Sequence, residues 1–248
     1  MRPLALCLIA AFLSAAQTDP ARFGPRGAFR LEPNGMIEQL PGGETKLYPL
    51  PQSTQDDYAR LRPAALKLNP LSYTQNEYQR EETIGPYQVE GDLLWFGKAF
   101  YDSEGMRGVG AFGYFDARTR RYTLYSPPEV ADCEVSAILI EPDVVWLGLD
   151  RSIEDIATAP CSLVRWNRTS HAVRAWPLEF AVNRIAREGA SLRLTTNLGL
   201  NPNLAPVTKR GYALLEGDVI RRFLVSTGRD GKQSTTPVDR FPPPPTMH

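Results

Sequence analysis

Apolar positions in this chain fall in short runs separated by corners rich in Gly, Pro, Asp and Asn, the pattern of strands and turns. Two runs share a signature. "DLLWFGKAFY" (Asp92 to Tyr101) and "DVVWLGLDRS" (Asp143 to Ser152) both read Asp, two aliphatics, Trp, a large apolar residue and Gly. Trp95 and Trp146 lie 51 positions apart, as do Gly97 and Gly148. The same offset carries Phe115 onto Trp166, Asp116 onto Asn167, Thr119 onto Ser170 and Tyr125 onto Trp176. A weaker third copy follows at an offset of 47, in which Leu192 and Leu194 replace Val145 and Leu147, and Phe223 replaces Trp176. In this copy Arg193 and Thr195 stand where the Trp and Gly would be, so the signature is lost while the apolar pattern is kept.

Each unit resolves into four short strands. In the second unit these are predicted at about Val135 to Ile140, Val144 to Leu149, Ser162 to Trp166 and Ala172 to Trp176. Asx and Ser/Thr corners separate them, as at "NRTS" (Asn167 to Ser170). The inner runs "AILI" and "VVWLG" are apolar on both faces, as expected of sheets packed between neighbours. Trp95, Trp146, Trp166 and Trp176 all fall in strand slots and are expected to be core. Four strands recurring every 47 to 51 residues is the period of a β-propeller blade. The predicted fold is all-β and propeller-like, with about four blades forming a small closed ring or an open arc. The repeat units span about 85–130, 131–180 and 181–226, with a partial N-terminal unit at 27–80. "GAFRLEPNGMIEQLPG" reads as an outer hairpin turning at Pro33-Asn34-Gly35. Pairing of N-terminal with C-terminal strands would close a ring. "QDDYARLRPAALK" has helical spacing that Pro63 interrupts. Residues 227–248, polar and proline-rich, are expected to be disordered.

These repeats resemble the blades of bacterial exported propellers, on the pairing of "LLWFG" or "VVWLG" with a later "GYFDARTRRY" or "LVRWNRTSHAV". Two-component-regulator-type sensor propellers and virginiamycin B lyase-like repeats are similar. The resemblance implies a propeller scaffold, usually of six or more blades, whereas this chain has room for about four. It implies no single function, because propellers host many unrelated activities.

The ends of the chain supply an address. "MRPLALCLIAAFLSAAQ" has a basic start at Arg2, an apolar run too short to span a bilayer, and small residues at Ser14 and Ala16. Residues 1–16 are therefore expected to be a signal peptide, and the mature chain (17–226 plus its tail) to be periplasmic or secreted without a membrane span. With 28 basic and 28 acidic side chains and no block of one sign, the composition argues against a nucleic-acid partner. Export leaves Cys133 and Cys161 as a pair, which in an oxidising compartment reads as a disulfide, or as two buried thiols. In a flat blade their strands would lie about 9.6 Å apart. A bridge needs Cα atoms within about 7 Å, so the loop ends must close in.

No metal-ligand cluster, phosphate loop or nucleophile motif occurs, so no cofactor, metal or catalytic residue is expected; His171 sits in an exposed turn. Chemistry falls to the long insertions between second and third strands, which all emerge on one face: "KAFYDSEGMRG", "LDRSIEDIATAP" and "TNLGLNPNLAPVT". Asp102, Glu104, Asp150, Arg151, Glu154 and Asp155 would share that rim. The expected function is a non-enzymatic exported module that binds a ligand or protein partner there, with self-association as one way to complete the arc. The rival is a small carbohydrate-active hydrolase or lyase using acids such as Asp102, Asp150 or Glu154.

Overall fold

A computed structural model gives the fold for residues 22–63, 79–80, 82–100, 106–150, 161–197, 210–227 and 231–241. Four antiparallel sheets follow one another along the chain. Sheet I comprises β1 (Arg22–Phe23), β2 (Phe29–Glu32), β3 (Gly35–Gln39) and β4 (Thr45–Pro49). The helix α1 (Gln55–Leu61) and a two-stranded parallel pair, β5 (Gln79–Arg80) with β8 (Met106–Arg107), lie along the way to the third strand of sheet II. Sheet II holds β6 (Thr83–Glu90), β7 (Leu93–Ala99), β9 (Phe112–Asp116) and β10 (Arg121–Tyr125). After a short helix, α2 (Pro128–Ala131), sheet III holds β11 (Glu134–Ile140), β12 (Val144–Asp150), β13 (Ser162–Asn167) and β14 (Val173–Pro177). Sheet IV has five strands: β15 (Arg184–Glu188), β16 (Ser191–Asn197), β17 (Arg210–Glu216), β18 (Val219–Thr227) and β19 (Gln233–Val238).

One core lies at each seam. Phe29, Met36, Phe96 and Phe115 fill the seam between sheets I and II; Trp95, Val135, Leu147 and Trp166 fill the next; Trp146, Leu163, Leu192 and Leu194 fill the last. All four tryptophans are buried. Among the described residues no core joins sheet I to sheet IV, so the propeller-like fold is an open arc. The N-terminal hairpin does not pair with C-terminal strands; β1 and β4 flank it and make sheet I complete in itself.

The repeat is visible in the backbone. Ala117 N–H donates to Asp92 O at 3.0 Å, and 51 residues on, Arg168 N–H donates to Asp143 O at 2.9 Å. Arg120 (φ 58°) and His171 (φ 59°) hold the same left-handed corner. The first strands β6 and β11 each carry a bulge at matching positions.

The Gly of the signature has a steric cause. A Cβ on Gly97 would lie 2.3 Å from the Val135 Cβ, and one on Gly148 would lie 2.7 Å from the Val182 Cβ. Each glycine therefore admits a valine of the next unit, at or just before its first strand.

Each seam is also latched by a Glu of the earlier sheet and an Arg of the later one. Arg120 grips Glu38 at 2.8 and 3.0 Å, Arg168 grips Glu90 at 2.9 and 2.7 Å, and Arg187 grips Glu141 at 2.8 and 2.6 Å. Two-point guanidinium–carboxylate contacts of this kind fix geometry as well as charge. The indole N–H of Trp95 donates to Glu90 at 3.1 Å, and that of Trp146 to Glu141 at 2.9 Å. In each case the Arg hydrogen bond is the largest influence holding the Glu carboxyl below its ordinary pKa.

One expectation needs correcting. The disorder expected from residue 227 onward does not hold for the described residues, because Gln233–Val238 pairs with β18 as a fifth strand and Phe241 is buried. An edge strand exposed on both faces needs no apolar residues, so its composition resembles that of a disordered tail. As Pro63 leads one to expect, the helical spacing at "QDDYARLRPAALK" gives a short helix, α1, that ends at Leu61, and residues 64–67 lie outside the described residues. Its start is fixed by a capping box in which the Thr54 hydroxyl accepts from Asp57 N–H and the Asp57 carboxylate accepts from Thr54 N–H. The signal segment, residues 1–16, lies outside the described residues.

Candidate functional site

The antiparallel order of each sheet brings one set of strand ends to a common face. In sheets II and III this face carries the C-terminal ends of β7, β10 and β12 and the N-terminal ends of β6, β9, β11 and β13. It also carries α1, α2 and the roots of the long insertions.

Of the residues expected to bind there, Asp102, Glu104, Arg151, Glu154 and Asp155 lie outside the described residues. Asp150 is half-buried at the end of β12, directly across the ladder from Glu134. Burial, then the charge of Asp150, pushes the Glu134 carboxyl up to about 7, partly opposed by the Phe100 N–H that donates to it at 3.3 Å. Next to this pair a disulfide joins Cys133 to Cys161, with Cα atoms 6.5 Å apart. The bridge ties the end of the second insertion to the start of sheet III.

The same face holds charged groups that the sequence reading missed. Lys98 is 2% exposed and Glu82 3%, and they pair with each other. The Lys98 ammonium also donates to Pro51 O at 2.7 Å. The Glu82 carboxylate accepts from Ser53 N–H and Val109 N–H, each at 2.8 Å, and Gln52 closes on the Glu82 backbone from both sides. Arg62, 1% exposed, donates to Gly108 O at 2.8 Å and Asp132 at 3.1 Å, and its guanidinium lies 4.9 Å from the Tyr58 ring centre. Together these contacts pin the stretch from Pro51 to Arg62, α1 included, onto sheet II. Burying an ion pair is costly unless its remaining hydrogen bonds are made, and here they largely are. One signal was available: Lys98 is a lone charge inside the apolar run "LLWFGKAF".

Between α1 and the end of sheet II lies a cavity of about 380 Å³, lined by Gln52, Ser53, Lys98 and Ser126 with apolar walls from Val109 and Leu124. His171 is exposed in the opposite turn and stacks on Trp166 at 4.9 Å between ring centres. Among the described residues, no group of three or more His, Cys, Asp or Glu side chains could hold a metal ion, and no helix is long and apolar enough to cross a membrane.

No family model and no curated protein matches this sequence. Among solved structures the chain is similar to Sqt1 of Saccharomyces cerevisiae (10% identity, TM-score 0.40), covering 64% of this chain and 46% of that one. It is also similar to the extracellular domain of BT4673, described as a one component system, from B. thetaiotaomicron (9% identity, TM-score 0.38). That match covers 87% of this chain and 36% of the other. A third is the computationally designed Ika8 protein, at 9% identity and TM-score 0.30, covering 85% and 82%. The chain thus spans less than half the length of the first two. At such identities the function has to be argued from the site itself.

Proposed function

We propose that this chain is an exported, non-enzymatic, propeller-like module that binds a ligand or protein partner through the insertion loops of one face. The observation that carries the proposal is the rigid base under those loops: a disulfide, the buried Lys98–Glu82 pair and the Arg62 anchor all occur at that end of sheets II and III. Variable loops rooted on a fixed scaffold are the usual arrangement for recognition. The disulfide supports export, because such bonds persist in oxidising compartments.

The test immobilises the folded chain and follows what it retains from culture medium and cell-envelope extract. The combined variant D150N/R151E/E154Q/D155N is expected to lose at least tenfold in retention, and R174A/D218N on the opposite face to lose nothing. Equal retention by both variants removes the proposal.

A second reading, an exported carbohydrate-active hydrolase or lyase, is favoured by one observation. Glu134, protonated up to about pH 7 beside Asp150, has the character of a general acid. Turnover of a polysaccharide that is abolished by both E134Q and D150N would establish it in place of the first.

A further inference from the structure

The cavity under α1 is a built pocket, and its chemistry selects a ligand class. This inference rests on the reading that the insertion face binds, and it assigns that face a small-molecule subsite. Fixed charges around the cavity occur in balanced pairs: Lys98 with Glu82, and Arg60 with Asp57 at 2.9 Å. Arg60 is also mostly exposed, so its charge is screened. An ionic ligand of either sign would enter with no opposite charge left to meet it, and would lose its hydration in doing so. A neutral ligand meets no such penalty.

Hydrogen-bonding capacity is nevertheless available. The Lys98 ammonium has three N–H bonds, and Pro51 O and Glu82 take two of them. Ser53, a hydroxyl-bearing residue, is part of the lining, and its amide is held by Glu82. Val109, Ala111, Leu124 and Leu61 supply the apolar part of the lining. At about 380 Å³ the volume falls within the range of small-molecule sites.

We infer that the cavity between α1 and sheet II binds a small neutral molecule bearing hydroxyl or amide groups, which presents an acceptor to Lys98, a polar edge to Ser53 and its apolar side to Leu124. The Glu82 network holds Lys98 in place for this contact.

The test titrates the full chain with glucose and N-acetylglucosamine, and with their charged counterparts glucuronate and glucosamine, following backbone amide NMR shifts. A neutral probe is expected to shift the amides of Ser53, Val109 and Ala111 and to bind at least tenfold more tightly than either charged one. Ser53→Phe, at a half-buried position, fills the cavity and is expected to raise the Kd of the neutral probe more than tenfold with an unchanged thermal midpoint. Lys98→Met serves as a second variant if it folds, with the same loss expected. Tighter binding of a charged probe, shifts confined to other residues, or a Kd unaffected by Ser53→Phe overturns the inference. If no probe binds while the insertion-loop variant still loses its partner, the subsite fails and the face-binding proposal stands; if that loss is absent too, both fail.

Discussion

Sheets II and III and sheet IV derive from one repeat, yet only the first two keep Trp and Gly in the second strand. In sheets II and III the glycine meets a valine of the following unit, and the glutamate before it is shared between its own Trp and an Arg of the next sheet. In sheet IV the equivalent glutamate is Glu188, and its partner is Arg193 of the same sheet at 3.5 Å, the residue standing where the Trp would be. Arg193 then lies over Tyr212 at 3.8 Å, and Tyr212 stacks on Phe223. Thr195 occupies the glycine position and is half-buried, and among the described residues no further sheet follows to cover it. The signature thus marks a position that another sheet covers, and its loss marks a sheet that satisfies its own latch. The motif records packing between neighbouring sheets.

The comparison can be broken at several points. Sheet III is stapled by a disulfide whose cysteines lie 28 residues apart, and sheet IV has no equivalent among the described residues. Replacing both cysteines by Ala is expected to cost about 3.5 kcal/mol in urea unfolding, by loop-closure entropy. Gly97→Ala forces the Val135 contact apart and is expected to cost about 3 kcal/mol by overpacking, whereas Thr195→Ala stays within about 1 kcal/mol. Equal costs at the two positions would show that the glycine is not there for the neighbouring unit.

A pH series separates the insertion face from the seams. The Glu134 carboxyl is raised from 4.5 to about 7, so between those values the folded chain binds more protons than the unfolded one. Stability from this group therefore falls as pH rises from about 4.5 to about 7, by ~2 kcal/mol once partial exposure is allowed for, and E134Q flattens that slope. The latch glutamates are lowered and have the opposite sign. Their contribution is present above the ordinary carboxylate pKa and is lost as pH falls below it. The smallest effect is expected from the cations over the rings. Arg168→Met, which removes the Glu90 contact and the guanidinium 4.9 Å above Trp95, is expected to cost about 1 kcal/mol. Arg193→Met in sheet IV is expected to cost less than half of that.

Much of the scaffold was legible because the repeat states it several times. The strands expected in the second unit agree with β11 to β14 within one residue at each end, since Asx corners at Asp116 and Asn167 fix where the third strands stop. Sheet I was only half legible. β1 has two residues, and β4 has its side chains exposed or half-buried, so neither shows the apolar pattern that marks a buried strand. The candidate site was less legible still. Composition does not tell which of 56 charged side chains turn inward, and Glu82, Arg62 and Glu134 owe their roles to neighbours 16 to 70 residues away. Only Lys98, alone in an apolar strand, carries a signal in the sequence.

The fifth strand of sheet IV bears on how the chain behaves in a crowded solution. β18 is nine residues long, and without β19 its outer N–H and C=O groups would lie bare, a template for strands of other molecules. β19 covers that edge with a polar, exposed strand, and Pro237 interrupts any further ladder because it lacks an N–H to offer. Truncation after Thr227 is therefore expected to bare the β18 edge, to take Phe241 out of the last seam, and to make the chain aggregate with rising concentration, measurable by light scattering. The polar tail acts as a guard against self-templating.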